Sequence, residues 1–207
     1  MTPRLGGPKL KQLSAQKLQI TRLQNRLQNL LDEGFDVVQV DECLFNSDHN
    51  RGRHWAPAQQ PFQITKKYLN QPKIVVLGAI SKLYGNVHYQ FGEFSFKTAD
   101  VINFLQGLRK KYIAGQKLAV FWDNCSIHLS WFLKEWLKLH DPDLQLVYNI
   151  AYRPDLNGIE SLWLDCKTRY RARLDNYKAN CIEFQHQALV EDIVGDTLRT
   201  TAIRCAR

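Results

Sequence analysis

Apolar residues recur along the chain in two periods, and the order in which those periods alternate predicts the architecture. Leu13, Ile20 and Leu27 stand seven residues apart, with Leu23 and Leu30 interleaved, which predicts an amphipathic helix over 13–31 that Gly34 ends. VVQVDECLF (37–45) is β-branched, bounded by polar turns, and reads as a strand. Residues 46–72 are polar and hold Arg51, Arg53, His54, Trp55, Lys66 and Lys67. That stretch is too long for a plain connection, so it reads as an insertion with a task of its own. KIVVLGAIS (73–81) and NVHYQFGEF (86–94) flank Leu83-Tyr84-Gly85 and predict a hairpin. Val101, Phe104, Leu105 and Leu108 predict a helix over 98–112, LAVFWD (118–123) a buried strand, and Leu129, Phe132, Leu133, Trp136 and Leu137 a helix over 129–139. LQLVYNI (144–150) is another strand, followed by a helix over 158–174 and one within 182–204. Three strands and then alternating helices and strands predict an α/β fold, a mixed sheet with helices on its faces. Its βα crossovers should be right-handed. Trp122, Trp131, Trp136 and Trp163 are expected in the core.

Composition adds a direction. The chain of 207 residues is 44% hydrophobic and 23% charged, as a globular protein is, with a net charge of +8. The excess is uneven. Arg4, Lys9, Lys11, Lys17, Arg22 and Arg26 stand in 1–31 without a single acid, and Lys167, Arg169, Arg171, Arg173 and Lys178 crowd 161–178. The rest is near neutral. Such a balance favours an acidic polymer as partner. The five cysteines are odd in number and hold no CxxC pair, which argues against a disulfide framework or zinc ribbon and for reducing, intracellular surroundings. The start is polar, with no apolar core of a secretory leader. The longest apolar run, IVVLGAI (74–80), falls far short of the ~20 residues that span a bilayer, so no membrane association is expected. No Walker A, GxGxxG or HExxH motif is present, so no nucleotide cofactor is expected.

Three acids occupy informative positions. Asp41 lies inside an apolar strand, Asp123 ends the next strongly apolar strand after the hairpin, and Glu160 lies in the first turn of a helix. A carboxylate among Val, Phe and Trp loses hydration and is costly unless paired or metal-bound. Two strand carboxylates and one from a nearby helix would make an oxygen-rich site for Mg²⁺. Each acid also has a plainer reading. Asp41 would face solvent if Glu42 were the inward residue. Asp123 with Asn124 would start a turn and cap a helix. Asn157-Gly158-Ile159-Glu160 would form a capping box, with Asn157 as N-cap and Glu160 at N3.

Val40-Asp41-Glu42, FWDNCSIH (121–128) and AYRPDLNGIESLW (151–163) followed by Lys167 together resemble the three sequence blocks of the mariner-like superfamily of DDE transposases, including its bacterial insertion-sequence branch. The resemblance covers about residues 35–175, and its last block is the most specific. Thirty-six residues separate Asp123 from Glu160, which fits that family's mid-thirties spacing. The resemblance implies a ribonuclease-H-like mixed sheet flanked by helices, with an N-terminal amphipathic helix and an insertion after the first strand. It implies a catalytic, metal-binding triad of Asp41, Asp123 and Glu160. Two Mg²⁺ ions (Mn²⁺ substituting) and DNA as substrate follow from it, with hydrolysis of a phosphodiester and then strand transfer by a 3′-hydroxyl. A homodimer is implied too, and a location in a bacterial cytoplasm and nucleoid or in a eukaryotic nucleus. Arg153 and Gly158 depart from the Ser and Pro usual in the family's last block.

Lys167 and Arg171 share a helical face with Glu160, which suggests phosphate contacts beside the site, while Ile159, Trp163, Cys166 and Tyr170 share the core face. Arg153, Asn124, His128, Arg51 and Arg53 complete the candidate DNA-binding set. His128 has three readings, as a DNA contact, as a group that orients a neighbour, or as a satisfied histidine at a helix start. The domain expectation is a basic lead and linker helix over 1–34, a catalytic domain over 35–178 with a clamp-like insertion at 46–72, and a helical extension over 179–207. The paired helix-turn-helix domains usual in the family are not expected in this chain. The alternatives are a truncated, non-catalytic remnant that binds DNA or a transposase partner, and another ribonuclease-H-like nuclease.

Overall fold

The computed structural model describes residues 10–47, 73–81, 83–93, 95–180 and 182–205. Helix α1 (Leu10–Asp32) is followed by strand β1 (Asp36–Phe45), the hairpin β2 (Ile74–Ser81) and β3 (Gly85–Gly92), and helix α2 (Thr98–Arg109). Then come β4 (Leu118–Trp122), α3 (Trp131–His140), β5 (Leu144–Tyr148), a 3₁₀ turn at Pro154–Leu156, α4 (Ile159–Ala179) and α5 (His186–Cys205). The five strands form one sheet in the order β3-β2-β1-β4-β5. β1 to β3 are antiparallel, whereas β4 and β5 run parallel to β1. This is the ribonuclease-H-like arrangement. Arg51, Arg53 and nearly all of the 46–72 insertion lie outside the described residues. Among the described residues no helix is long and apolar enough to cross a membrane.

The period of two along each strand sorts side chains to the two faces. Val38, Val40, Val120 and Trp122 join α2 and α3 in one core, with Phe104, Leu105, Leu108, Leu133 and Leu137. Cys43, Phe45, Ile74 and Val76 face α4 and α5 in a second core. Ala119, Phe121 and Val147 pack with Leu30 and Phe35 at the end of α1. The core face of α4 is the expected one, with Ile159, Trp163, Cys166 and Tyr170 all buried. α5, expected as an extension beyond residue 178, supplies Leu189, Val190, Ile193, Val194 and Leu198 to the same core. Trp131 is a correction: it is 73% exposed at the start of α3, with Phe132 and Leu129 also exposed. Leu133 and Leu137 of that helix are buried and Trp136 packs partly buried against the same core, whereas Trp131, two residues and so about 200° from Leu133, points the other way.

Two contacts fix where α4 starts. Gly78 of β2 pairs with Asp41 of β1. A Cβ at Gly78 would stand 2.6 Å from Cη2 of Trp163, so the missing side chain lets the indole lie flat on the sheet. Asn157, just before α4, donates from Nδ2 to the Val40 carbonyl at 3.1 Å and so anchors the helix start beside Asp41. The expected capping box is not formed. The Asn157 amide goes to the strand, and the Glu160 amide is taken by the Asn157 backbone carbonyl at 3.2 Å.

Gly78→Ala should therefore cost about 1–3 kcal/mol by overpacking, a fall of roughly 2–4 °C in Tm per kcal/mol. Thermal unfolding measures it. Combined with Trp163→Phe, which clears the same space, the loss should be smaller than the sum of the two single losses.

Candidate active site

Parallel pairing places the first two carboxylates side by side. The β1–β4 register runs from Asp36↔Leu118 to Gln39↔Phe121. Two residues further on, each strand carries its acid, Asp41 and Asp123. Asp41 lies on the sheet face of Cys43, the face that α4 covers, and Asp123 directly follows Trp122 at the end of β4. Glu160 comes from the first turn of α4. Asp41, Asp123 and Glu160 line one cleft of about 480 Å³ with Asn124, Cys125, Asn157 and the 149–154 loop. It opens beyond the carboxyl ends of the parallel strands, where ligands of open α/β sheets bind.

The electrostatics are those of crowded anions. Burial first, and then the charges of Glu160, Glu42 and Asp123, push the Asp41 carboxyl up to about 7. A cation in the cleft would relieve that repulsion. Oxygen donors are what a hard divalent ion selects, and Mg²⁺ binds few carboxylates, filling its octahedron with waters and phosphate oxygens. Among the described residues no group of three or more His, Cys, Asp or Glu side chains is placed to hold a metal ion by itself. The residues present thus fit an ion held partly by its substrate. Asn157, 5% exposed, adds a buried Oδ1 without a hydrogen-bond partner at the same cleft.

Asp123 is held firmly. Its Oδ1 accepts from the Cys125 backbone N–H at 3.0 Å and bonds Nδ1 of His128 at 2.8 Å. His128 is fully buried, and its Nε2 lies 3.0 Å from Oε1 of Glu42. Burial alone would lower its pKa, but the bonds and charges of Glu42 and Asp123 outweigh that and raise it. The imidazole stacks on Trp122 at 4.2 Å and 4°. No surface of His128 is open to DNA, and each ring nitrogen faces a carboxylate. Sequence reasoning set Glu42 aside as a rival to Asp41. Alternation along β1 uses both, on opposite faces.

The other candidates are scattered. Asn124 lines the cleft but donates its amide to the Asn149 carbonyl at 2.8 Å. Arg153 also lines the cleft, with its guanidinium on Asp155 through bonds of 2.7 and 2.6 Å. Lys167 is half-buried beside Cys43, whose thiol burial pushes up to about 12 against the lowering effect of the Lys167 charge. Arg171 is exposed on the outer face of α4. Tyr152 went unnoticed in the sequence. It stands at the cleft rim, 99% exposed, with φ +60°. A bulky residue in the left-handed region is strained by about 1–3 kcal/mol and persists only where its surroundings enforce it. Asn149 enforces it: the side chain accepts from the Ile150 N–H and donates to the Arg153 carbonyl, both at 2.7 Å, closing the loop around Tyr152.

The family model described as DDE superfamily endonuclease matches residues 36–180, and the chain belongs to that family. Among curated proteins no sequence match is found. Among solved structures, the chain is similar to the catalytic domain of Mos1 mariner transposase, with a TM-score of 0.52 and 14% identity over 99% of this chain and 96% of that one. The Mos1 paired end complex with Mg gives 0.53 and 15%, over 100% and 66%. The simian T-cell lymphotropic virus intasome in complex with PP2A regulatory subunit B56 gamma gives 0.51 and 12%, over 77% and 46%. These likenesses establish the fold. The chain spans 61–66% of the Mos1 chains in the strand transfer and paired-end complexes, less than two thirds.

The raised Asp41 carboxyl has a thermodynamic consequence. Between pH 4 and 7 the folded chain keeps a proton on Asp41 that the unfolded chain has released, so metal-free stability falls as pH rises, by at most about 1.4 kcal/mol per unit. Above pH 7 the destabilisation is complete. Asp41→Asn should remove this component, and the metal-free variant should melt higher than the wild type at pH 8. Melting curves from pH 5 to 8 for both proteins in EDTA check it, with the difference between them isolating Asp41.

Proposed function

We propose that this chain is the catalytic core of a DNA transposase that cuts phosphodiesters and joins 3′-hydroxyl ends to target DNA. The observation that carries this reading is the convergence of Asp41, Asp123 and Glu160 on one cleft at the carboxyl ends of β1 and β4. Asp41, Asp123 and Glu160 are the proposed ligands of two Mg²⁺ ions, with Mn²⁺ as a substitute. When bound, the ions would polarise a phosphodiester and stabilise the attacking and leaving oxygens of an in-line displacement.

The protein's own part is to bind, orient and exclude. Asp41 and Asp123 are held at one level by the β1–β4 register, and Glu160 is set against them by Trp163 on Gly78 and by Asn157 on Val40. Asn157 and the braced 149–153 loop wall the cleft on the side opposite the strands. Arg171, exposed along the helix that carries Glu160, is a proposed phosphate contact, and half-buried Lys167 a second one. Tyr152 offers an aromatic face to a nucleotide beside the cut. In this reading residues 35–178 with α5 form the catalytic body and 1–34 the link to whatever recognises the element's ends. Two chains act together, one at each end.

Purified protein with Mg²⁺ or Mn²⁺ should nick DNA and join a pre-cut 3′-hydroxyl end to a second duplex. Asp41→Asn, Asp123→Asn and Glu160→Gln should each abolish both products. Nicking that survives all three changes overturns the site. Nicking without any joined product favours a plain nuclease, and DNA binding without cutting favours a non-catalytic remnant.

Basic residues are tested separately. Lys167→Ala together with Arg171→Ala should flatten the slope of log affinity against log salt by about 1.8, two phosphate contacts at roughly 0.9 each. An unchanged slope removes both from the DNA path.

A further inference from the structure

We infer that Glu42 and His128 form a positioning pair that holds the Asp123 carboxylate in its metal-binding orientation from the far face of the sheet. The inference rests on the reading of Asp123 as a metal ligand. Asp41 and Glu42 are neighbours on β1, so their side chains leave the strand on opposite faces. Asp41 enters the cleft. Glu42 meets His128, which lies on the α2–α3 side against Trp122. The loop after β4 carries Asp123 over the edge of the sheet, where His128 reaches it five residues later.

Each atom in this chain has a defined use. Asp123 Oδ1 is bonded by His128 Nδ1 at 2.8 Å and by the Cys125 N–H at 3.0 Å. With a carboxylate at each ring nitrogen, His128 donates to both as the imidazolium, and two donors on Asp123 Oδ1 hold that oxygen and leave Oδ2 for a cation, on a side chain that is 56% exposed. The imidazole cannot turn away. It is fully buried, lies 4.2 Å from the Trp122 ring at 4°, and its backbone carbonyl accepts from the Tyr148 hydroxyl at 3.0 Å. Glu42 Oε1 accepts from Nε2 at 3.0 Å, which directs the Nδ1 hydrogen-bonding edge at Asp123. Hydrogen-bonded partners behind a metal ligand typically change metal affinity or activity ten- to a hundredfold when removed. Neither Glu42 nor His128 lines the cleft, so neither touches substrate.

The test compares Glu42→Ala with Glu42→Gln, whose amide oxygen still accepts from Nε2, and with His128→Ala. Mn²⁺ affinity is read by electron paramagnetic resonance, DNA affinity in EDTA by anisotropy, and the His128 ring N–H protons by ¹⁵N-edited NMR. Glu42→Ala should weaken Mn²⁺ binding about tenfold and lose the slowly exchanging Nε2 proton. Glu42→Gln should recover most of both, and DNA affinity should not move. Glu42→Ala that binds Mn²⁺ as tightly as the wild type, or Glu42→Gln no better than Glu42→Ala, overturns the inference. Should His128→Ala fail to fold, the two Glu42 variants decide alone, since Glu42 is partly exposed. A wild type that binds no Mn²⁺ overturns the metal reading of the cleft. In that case the proton signal judges the positioning by itself, and its survival in Glu42→Ala overturns that as well.

Discussion

Asp41, Asp123 and Glu160 repel one another across a single cleft, and most of what is distinctive in this structure either creates that repulsion or holds it in place. Burial first, and then the neighbouring carboxylates, push the Asp41 carboxyl up to about 7. A protein that only needed stability would replace them. Keeping them makes sense where cations and a phosphate complete the site, since the ion that relieves the repulsion is the one the chemistry uses. The net charge of +8 belongs to the same account. Bases along α1 and α4 suit a polyanion.

Three elements set the site, each by a different kind of contact. Backbone register aligns Asp41 with Asp123. A missing side chain at Gly78 admits the Trp163 indole and so sets the height of α4 above the sheet. A side-chain amide, Asn157 on the Val40 carbonyl, pins the helix start. The 149–153 loop then closes the cleft, and strain at Tyr152 shows that its shape is imposed by the bonds of Asn149 and not by local preference.

Much of this was legible in the residues. Strand and helix order came from the two hydrophobic periods, because in a sheet covered on both faces the periods report burial directly. The buried face of α4 followed from 100° per residue, since Ile159, Trp163, Cys166 and Tyr170 leave no other choice. The sheet's neighbour relations gave the positions of Asp41 and Asp123 meaning. Trp131 misled because a large apolar side chain was read as core by its type, whereas it stands two residues and about 200° from Leu133, on the outer face of α3. Asn157 looked like an N-cap because Asn-x-x-Glu is a local signal, whereas its partner on Val40 is 117 residues away. Glu42 and Asp41 looked like rivals because a sequence lists neighbours without showing that they leave a strand in opposite directions. His128 was undecided for the same reason: its burial and both of its partners are set by the tertiary fold.

The most direct test of the account is the location of a metal. Crystals soaked in Mn²⁺ and measured for anomalous scattering should show density in the cleft bridged by carboxylate oxygens of Asp41 and Asp123, with Glu160 beside it, and this density should vanish in Asp41→Asn. Mn²⁺ density elsewhere, or none in the cleft while the protein remains folded, would contradict the claim that this cleft exists to hold catalytic cations.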